Sequence, residues 1–235
     1  MEGTEAAAQA PSPARLLPTL QWTAIGSLIG GGVAVFSAGP WSTRTFGMFV
    51  LAWAAHRGRN ATREPATRRL WAVALGVCLV VGAAQVAVGM DGTQRLGVVL
   101  ADLLVPLTFV AALALTAREY RLPTATWWRR VLIALGPASL LAASSFVVAW
   151  QVGEPTSGMQ SGWFTAAGGV RMTLPTWATI YTLLALLPLV AVLVAALVAL
   201  VKTYSFANRT AAEQEAAAIA RAAERAATRP PADRG

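Results

Sequence analysis

Four stretches of this chain stay apolar for about the thickness of a lipid bilayer: residues 70–90, 96–117, 131–152 and 175–201. A helix needs ~20 apolar residues to cross ~30 Å of hydrocarbon. In hydrocarbon only helices and closed barrels satisfy their own backbone groups, and runs of this length fit helices. Only 13% of the residues are charged and 56% are hydrophobic, whereas a soluble domain carries about a quarter charged residues. The predicted fold is therefore all-α, a polytopic integral membrane helical bundle.

Arginine placement orients it. The segments 56–69 and 118–130 hold five and four Arg, and the tail from Lys202 onward holds six basic residues. If the four runs each cross once, all three segments share one side. The loops on the other side hold only Arg95 and Arg171. Cytoplasmic segments collect positive charge, so the C-terminus is expected inside. The net charge of +8 then reads as topology rather than as a nucleic-acid surface. Lys202 is the only lysine against eighteen Arg, and alanine is abundant, which points to a GC-rich bacterial genome and the bacterial cytoplasmic membrane. "MEGTEAAAQAPSPARLLPTL" does not read as a signal peptide, because no basic region directly precedes its apolar run.

The front end admits two models. In the favoured one the chain crosses six times, with spans at about 18–38, 41–56, 70–90, 96–117, 131–152 and 175–201. The bundle is then residues 18–202, between a disordered tail of residues 1–17 and a cytoplasmic tail of residues 203–235. In the alternative there are five spans, and 46–55 re-enters or lies at the interface. Arginine counting does not separate them. Gly39-Pro40 favours six, since Gly suits the end of one helix and Pro the first turn of the next. Gly26, Gly30, Ala34 and Ala38 fall four residues apart and form a small-residue stripe that lets two membrane helices approach closely. Trp22, Trp71, Trp127, Trp128, Trp150 and Trp177 stand at run ends and are expected at headgroup level.

Ionisable residues inside a membrane are the best pointers to function. One stands out, Asp102 in "LGVVLADLLVPLTF". Gln85 on the preceding antiparallel span lies at similar depth, which predicts a hydrogen bond between them. Pro106 cannot donate to the carbonyl four residues back, that of Asp102 itself. Asp102, Gln85 and Pro106 thus form the candidate polar site, read either as helix glue or as an ion- or proton-coupling site. Pro137 and Pro188 also fall inside spans.

Several chemistries find no support. His56 is the only histidine and Cys78 the only cysteine, so a Cys/His zinc cluster and bis-histidine haem ligation are excluded, as is an intrachain disulfide. No catalytic triad, paired carboxylate or phosphate loop stands at a credible position. No catalytic, cofactor-binding or metal-binding residues are assigned. In the tail, Thr210 and Glu213 match a capping box ahead of an Ala/Glu/Arg-rich stretch, predicting a helix at about 211–228, read either as an exposed helix continuing from the last span or as a docking helix for a cytoplasmic partner. The expected role is non-enzymatic: a scaffold, regulatory or accessory subunit of a membrane assembly. Its expected partners are the lipid bilayer and a protein bound at the C-terminal tail, or a second copy of the chain. The alternative is a small ion- or proton-coupled transporter using Asp102.

Overall fold

The computed structural model describes residues 12–29, 42–88, 95–155, 165–166 and 170–227. A 3-10 turn, Pro13–Leu16, leads into α1 (Leu17–Ser27). Then follow α2 (Ser42–Ala61), α3 (Pro65–Val88), α4 (Arg95–Asp102), α5 (Leu104–Glu119), α6 (Ala125–Val152) and α7 (Thr176–Ala227). Among these, α3, α6, α7 and the segment Leu100–Glu119 are long and apolar enough to cross a membrane. Many of their large apolar side chains face outward, among them Val80, Ile133, Leu140, Leu184 and Leu187. A contiguous apolar surface of that kind needs a partner or lipid to cover it.

The helices pack in chain order, α1 on α2, α2 on α3, α3 on α5, α5 on α6 and α6 on α7, and α7 closes back onto α1. The short α4 rests on α3, α5 and α6. Hydrogen bonds fix the registers. Trp71 Nε1 donates to Thr116 Oγ1 at 2.9 Å, and Gln85 Nε2 donates to Asp102 Oδ1 at 2.9 Å. These rungs make α3 antiparallel to α4 and α5 taken together, over the fourteen-residue steps from Trp71 to Gln85 and from Asp102 to Thr116, about 21 Å at 1.5 Å per residue. Between α2 and α3, a Cβ on Gly58 would meet Trp71 and one on Gly82 would meet Met48, while Thr45 Oγ1 donates to Gln85 Oε1. These helices too are antiparallel. The α6–α7 pair is tied at Thr124 and Trp128 to Thr203, and at Ser144 to Tyr181.

The second run, expected at 41–56, is helical as far as Ala61. Arg57 and Arg59 thus lie on its last turns, and α2 is not one of the helices apolar enough to span by composition. Most of the span expected at 96–117 is the apolar segment Leu100–Glu119, and its helix is interrupted at one residue, Leu103, whose backbone angles stay helical at φ −68° and ψ −20°. Leu103 N–H donates to the Leu100 carbonyl at 3.2 Å, a tighter turn that separates α4 from α5. Pro106 then falls in the first turn of α5, where its missing N–H leaves no helical bond unmade. Pro137 and Pro188 lie inside continuous helices.

Order begins earlier than the disordered tail of residues 1–17 predicts. Ser12 Oγ accepts the Ala14 N–H, and Leu16 is buried at 2% exposure. The tail helix continues from the last span, and the capping box at Thr210 does not act as a start. Instead α7 runs unbroken for 52 residues, and Thr210 Oγ1 donates back to the Phe206 carbonyl at 3.0 Å. Continuity from the apolar span satisfies the backbone donors that a cap would otherwise serve. The loop before α7 carries a small antiparallel ribbon of β1 (Glu154–Pro155), β2 (Thr165–Ala166) and β3 (Val170–Thr173) in the order β1-β3-β2. Glu154 pairs with Thr173, and Thr165 with Arg171.

Candidate functional site

Asp102 closes α4, directly before the break that starts α5. Gln85 lies one turn before the end of α3, and Thr45 one turn after the start of α2. The three form a chain: Thr45 donates to the Gln85 amide oxygen at 3.3 Å, and the Gln85 amide nitrogen donates to Asp102 at 2.9 Å. All are buried, at 6%, 9% and 8% exposure. One glutamine therefore uses both ends of its amide to link α2 to α4 through α3. Buried polar groups in such a network hold a unique arrangement when each is paired. Pro106 stands four residues on, in the first turn of α5, and makes no side-chain bond that could join this chain.

The hydroxyls of the later spans serve their own helices. Ser144, Ser145, Thr179 and Thr182 donate to carbonyls three or four residues back, as such residues do within membrane helices. Thr19 Oγ1 and Ser139 Oγ are buried without a hydrogen-bond partner. Of the small-residue stripe, Gly26 is placed against α2: a Cβ there would lie 2.8 Å from Leu51 Cγ and 3.1 Å from its backbone nitrogen. Gly30, Ala34, Ala38 and the Gly39-Pro40 turn lie outside the described residues.

The opposite end of the bundle is basic and well tied. Glu119 Oε1 accepts the backbone N–H groups of Arg63 at 2.7 Å and Glu64 at 3.2 Å, at the N-terminus of α3. A carboxylate there is favoured by the helix dipole. Tyr120 donates its hydroxyl to the Ala61 carbonyl at 2.6 Å. Burial, then the neighbouring Glu119 charge, push its pKa up, while Arg15 and Arg63 pull it back. Arg121, at φ 51°, ends α5: its N–H reaches the Arg118 carbonyl and that of Leu122 reaches Ala117. This is the Schellman arrangement, with an arginine where glycine is usual. Beside it, Ser12 donates to Gln214 at 2.5 Å and Gln21 to Tyr204 at 3.1 Å. The start of α1 therefore runs antiparallel to the far half of α7, at the end that also carries the 56–69 and 118–130 segments.

The tryptophans divide into two groups. Trp22, Trp53, Trp127 and Trp177 are exposed, but Trp71 and Trp128 are buried at 0% and 1% exposure. Their indole N–H groups are satisfied by Thr116 and Thr203, so these two rings serve helix contacts rather than the headgroup level. Sequence reasoning missed Thr45, Glu119 and Ser12. Among the described residues no group of His, Cys, Asp and Glu is placed to hold a metal ion.

These features define a class: a helical protein, with one small β-ribbon in a loop, that has four helices long and apolar enough to span a membrane and is tied by buried side-chain hydrogen bonds. No protein-family model, curated protein or solved structure matches the chain.

Proposed function

We propose that the chain is a six-span protein of the bacterial cytoplasmic membrane with both termini cytoplasmic, and that it acts as a non-enzymatic scaffold or accessory subunit. The topology rests on parity. Helices α1 and α7 are antiparallel, and Ser12 meets Gln214, which supports entry and exit of the chain on one side. The antiparallel contact of α2 with α3 reaches from Trp71 to Gln85, which carries α2 through most of the bundle's depth. The basic end is the cytoplasmic one by the charge rule. Cysteines at Ser12 and Ser42, in a Cys78→Ala background, test this with an impermeant thiol reagent on intact cells. Labelling at Ser42 alone is expected, and labelling at Ser12 alone overturns the six-span topology.

The scaffold role rests on the Thr45–Gln85–Asp102 chain, which spends the deep polar groups on joining helices. The exposed far half of α7, with residues 212–225 facing solvent, supplies a docking element for a cytoplasmic protein or a second copy. A second reading, an ion- or proton-coupled carrier, has its own support: ionisable residues at membrane depth mark ion and proton paths, and Asp102 is buried beside the tight turn at Leu103. One substitution separates them. Asp102→Asn keeps an oxygen for the Gln85 N–H but removes the charge. The scaffold reading expects unchanged abundance and no effect on gradient-driven uptake in proteoliposomes, with Gln85→Leu lowering abundance. Loss of ion-dependent uptake by Asp102→Asn at full abundance overturns the scaffold reading in favour of the carrier.

A further inference from the structure

A groove of about 270 Å³ lies between α6 and α7 near the basic end, lined by Trp127, Arg130, Val131, Ala134, Val192 and Ala195. Its walls are apolar, with Arg130 contributing to the lining while its side chain as a whole is exposed. Trp127 is fixed across the two helices, its Nε1 donating to the Ala195 carbonyl at 3.1 Å. The Lys202 ammonium sits over the same ring, 4.4 Å from its centroid. A cation–π contact uses one face of an ammonium and leaves N–H donors for an anion. Each helix thus brings one cation to the groove's surroundings: Arg130 of α6 is part of the lining, and Lys202 of α7 lies over the ring of Trp127, which lines it. Arg130 and Lys202 do not meet an acidic side chain in any described salt bridge or hydrogen bond, and neither is called on by the polar chain at Asp102.

We propose that this groove binds one anionic phospholipid, its phosphate between Arg130 and Lys202 and the upper part of an acyl chain along Val131, Ala134 and Val192. Charge complementarity selects this occupant. A zwitterionic lipid satisfies the apolar walls equally but brings its own cation to a groove with these two cations, and a free phosphate satisfies the cations but leaves the walls bare. Basic pockets between membrane helices on the cytoplasmic side recognise anionic headgroups in this way. The site rests on the chain lying in a bilayer with its basic end at a headgroup layer. It does not depend on the role of Asp102 or on the scaffold reading.

The test is native mass spectrometry of the detergent-purified full chain, titrated with phosphatidylglycerol or phosphatidylcholine of the same acyl chains. One phosphatidylglycerol is expected to bind in preference to phosphatidylcholine. The Arg130→Gln/Lys202→Gln pair should weaken it about thirtyfold, at about 1 kcal/mol for each basic side chain near an anionic lipid. Ala134→Phe, which points an added ring into the groove and leaves both cations in place, should also abolish the preference. It serves as the second variant if the charge pair folds poorly. Arg221→Gln, on the solvent-exposed part of α7, should change nothing. Three results would each overturn the proposal: equal retention of both lipids, an effect of Arg221→Gln matching that of the groove pair, or complete displacement by millimolar inorganic phosphate. Partition of the chain into membranes, assayed separately by fractionation, distinguishes failure of the groove from failure of the membrane reading.

Discussion

Replacing Gly58 by alanine probes the tightest described contact between α2 and α3. A Cβ built there lies 2.6 Å from Trp71 Cδ2 and Cε2, about 1 Å inside the ~3.5–4.0 Å at which carbon atoms rest against each other. The indole has little room to yield. Its Nε1 is held by Thr116 at 2.9 Å, and its ring meets Phe109 edge-on, with centroids 5.6 Å apart. Moving the ring by the overlap stretches that hydrogen bond beyond the useful range. Overpacking costs about 1–3 kcal/mol, and the lost bond about 1 kcal/mol more. Against this, alanine gains up to about 1 kcal/mol over glycine in a helix interior. The net expectation is a loss of about 2 kcal/mol. Gly76→Ala on α3 is the counterpart, because a Cβ there meets nothing within 4 Å and only the gain remains. Reversible unfolding in mixed micelles of mild detergent and dodecyl sulfate measures both. In a double-mutant cycle, Trp71→Phe should relieve part of the Gly58→Ala cost, since a smaller ring without an N–H can shift. Equal stability of the two alanine variants would refute the reasoning.

Two further substitutions test the basic end by the same unfolding assay. Arg121→Gly should stabilise by about 1 kcal/mol, because glycine takes the left-handed backbone without the steric penalty of a Cβ; an unchanged or lowered midpoint contradicts this. Tyr120→Phe should cost about 1 kcal/mol at neutral pH through the lost bond to Ala61 and should also flatten the alkaline limb. Because the folded-state pKa lies above the ordinary value near 10, the folded chain holds its proton where the unfolded chain has released it. The stabilisation is complete below pH ~10 and is lost as pH rises through the folded value. A wild-type stability that rises above pH 10 would contradict that sign.

The residues that sequence reasoning could place are those whose position depends only on depth. Asp102 and Gln85 lie at matching distances from the turn between consecutive antiparallel runs, so their meeting was legible without knowing any helix's rotation. Thr45 was not, because its register on α3 depends on α2 continuing as helix as far as Ala61 before the turn into α3, and hydropathy ends that run at about residue 56. The break at Leu103 was hidden for a related reason. The run stays apolar on both sides, and Pro106 reads equally well as the interior of one span or the first turn of another. Trp71 misled because an indole suits an interface on composition alone. Only the structure reveals that Thr116 supplies, inside the bundle, the oxygen that the N–H would otherwise seek in the headgroups. At Thr210 the reading of a helix continued from the last span holds, and the capping box goes unused. Its spacing is right, but a helix already under way has no donors for it to satisfy. Ser12 was set aside with its polar neighbours, since no local pattern records a partner two hundred residues away.

The unbroken α7 has a mechanical consequence. It is about 78 Å long, and only ~20 of its residues are needed to cross the hydrocarbon. The part beyond Lys202 is a lever arm of about 38 Å, joined to the span with no soft joint between them. A 10° change in tilt within the bilayer would sweep its tip by about 7 Å, enough to make or break a contact between side chains. The Ser12–Gln214 bond sits part-way along this arm, where the start of α1 acts as a stay. Whatever docks on the far turns would therefore feel the packing of α1 against α7, and a displacement in the membrane would be read as a larger one outside it.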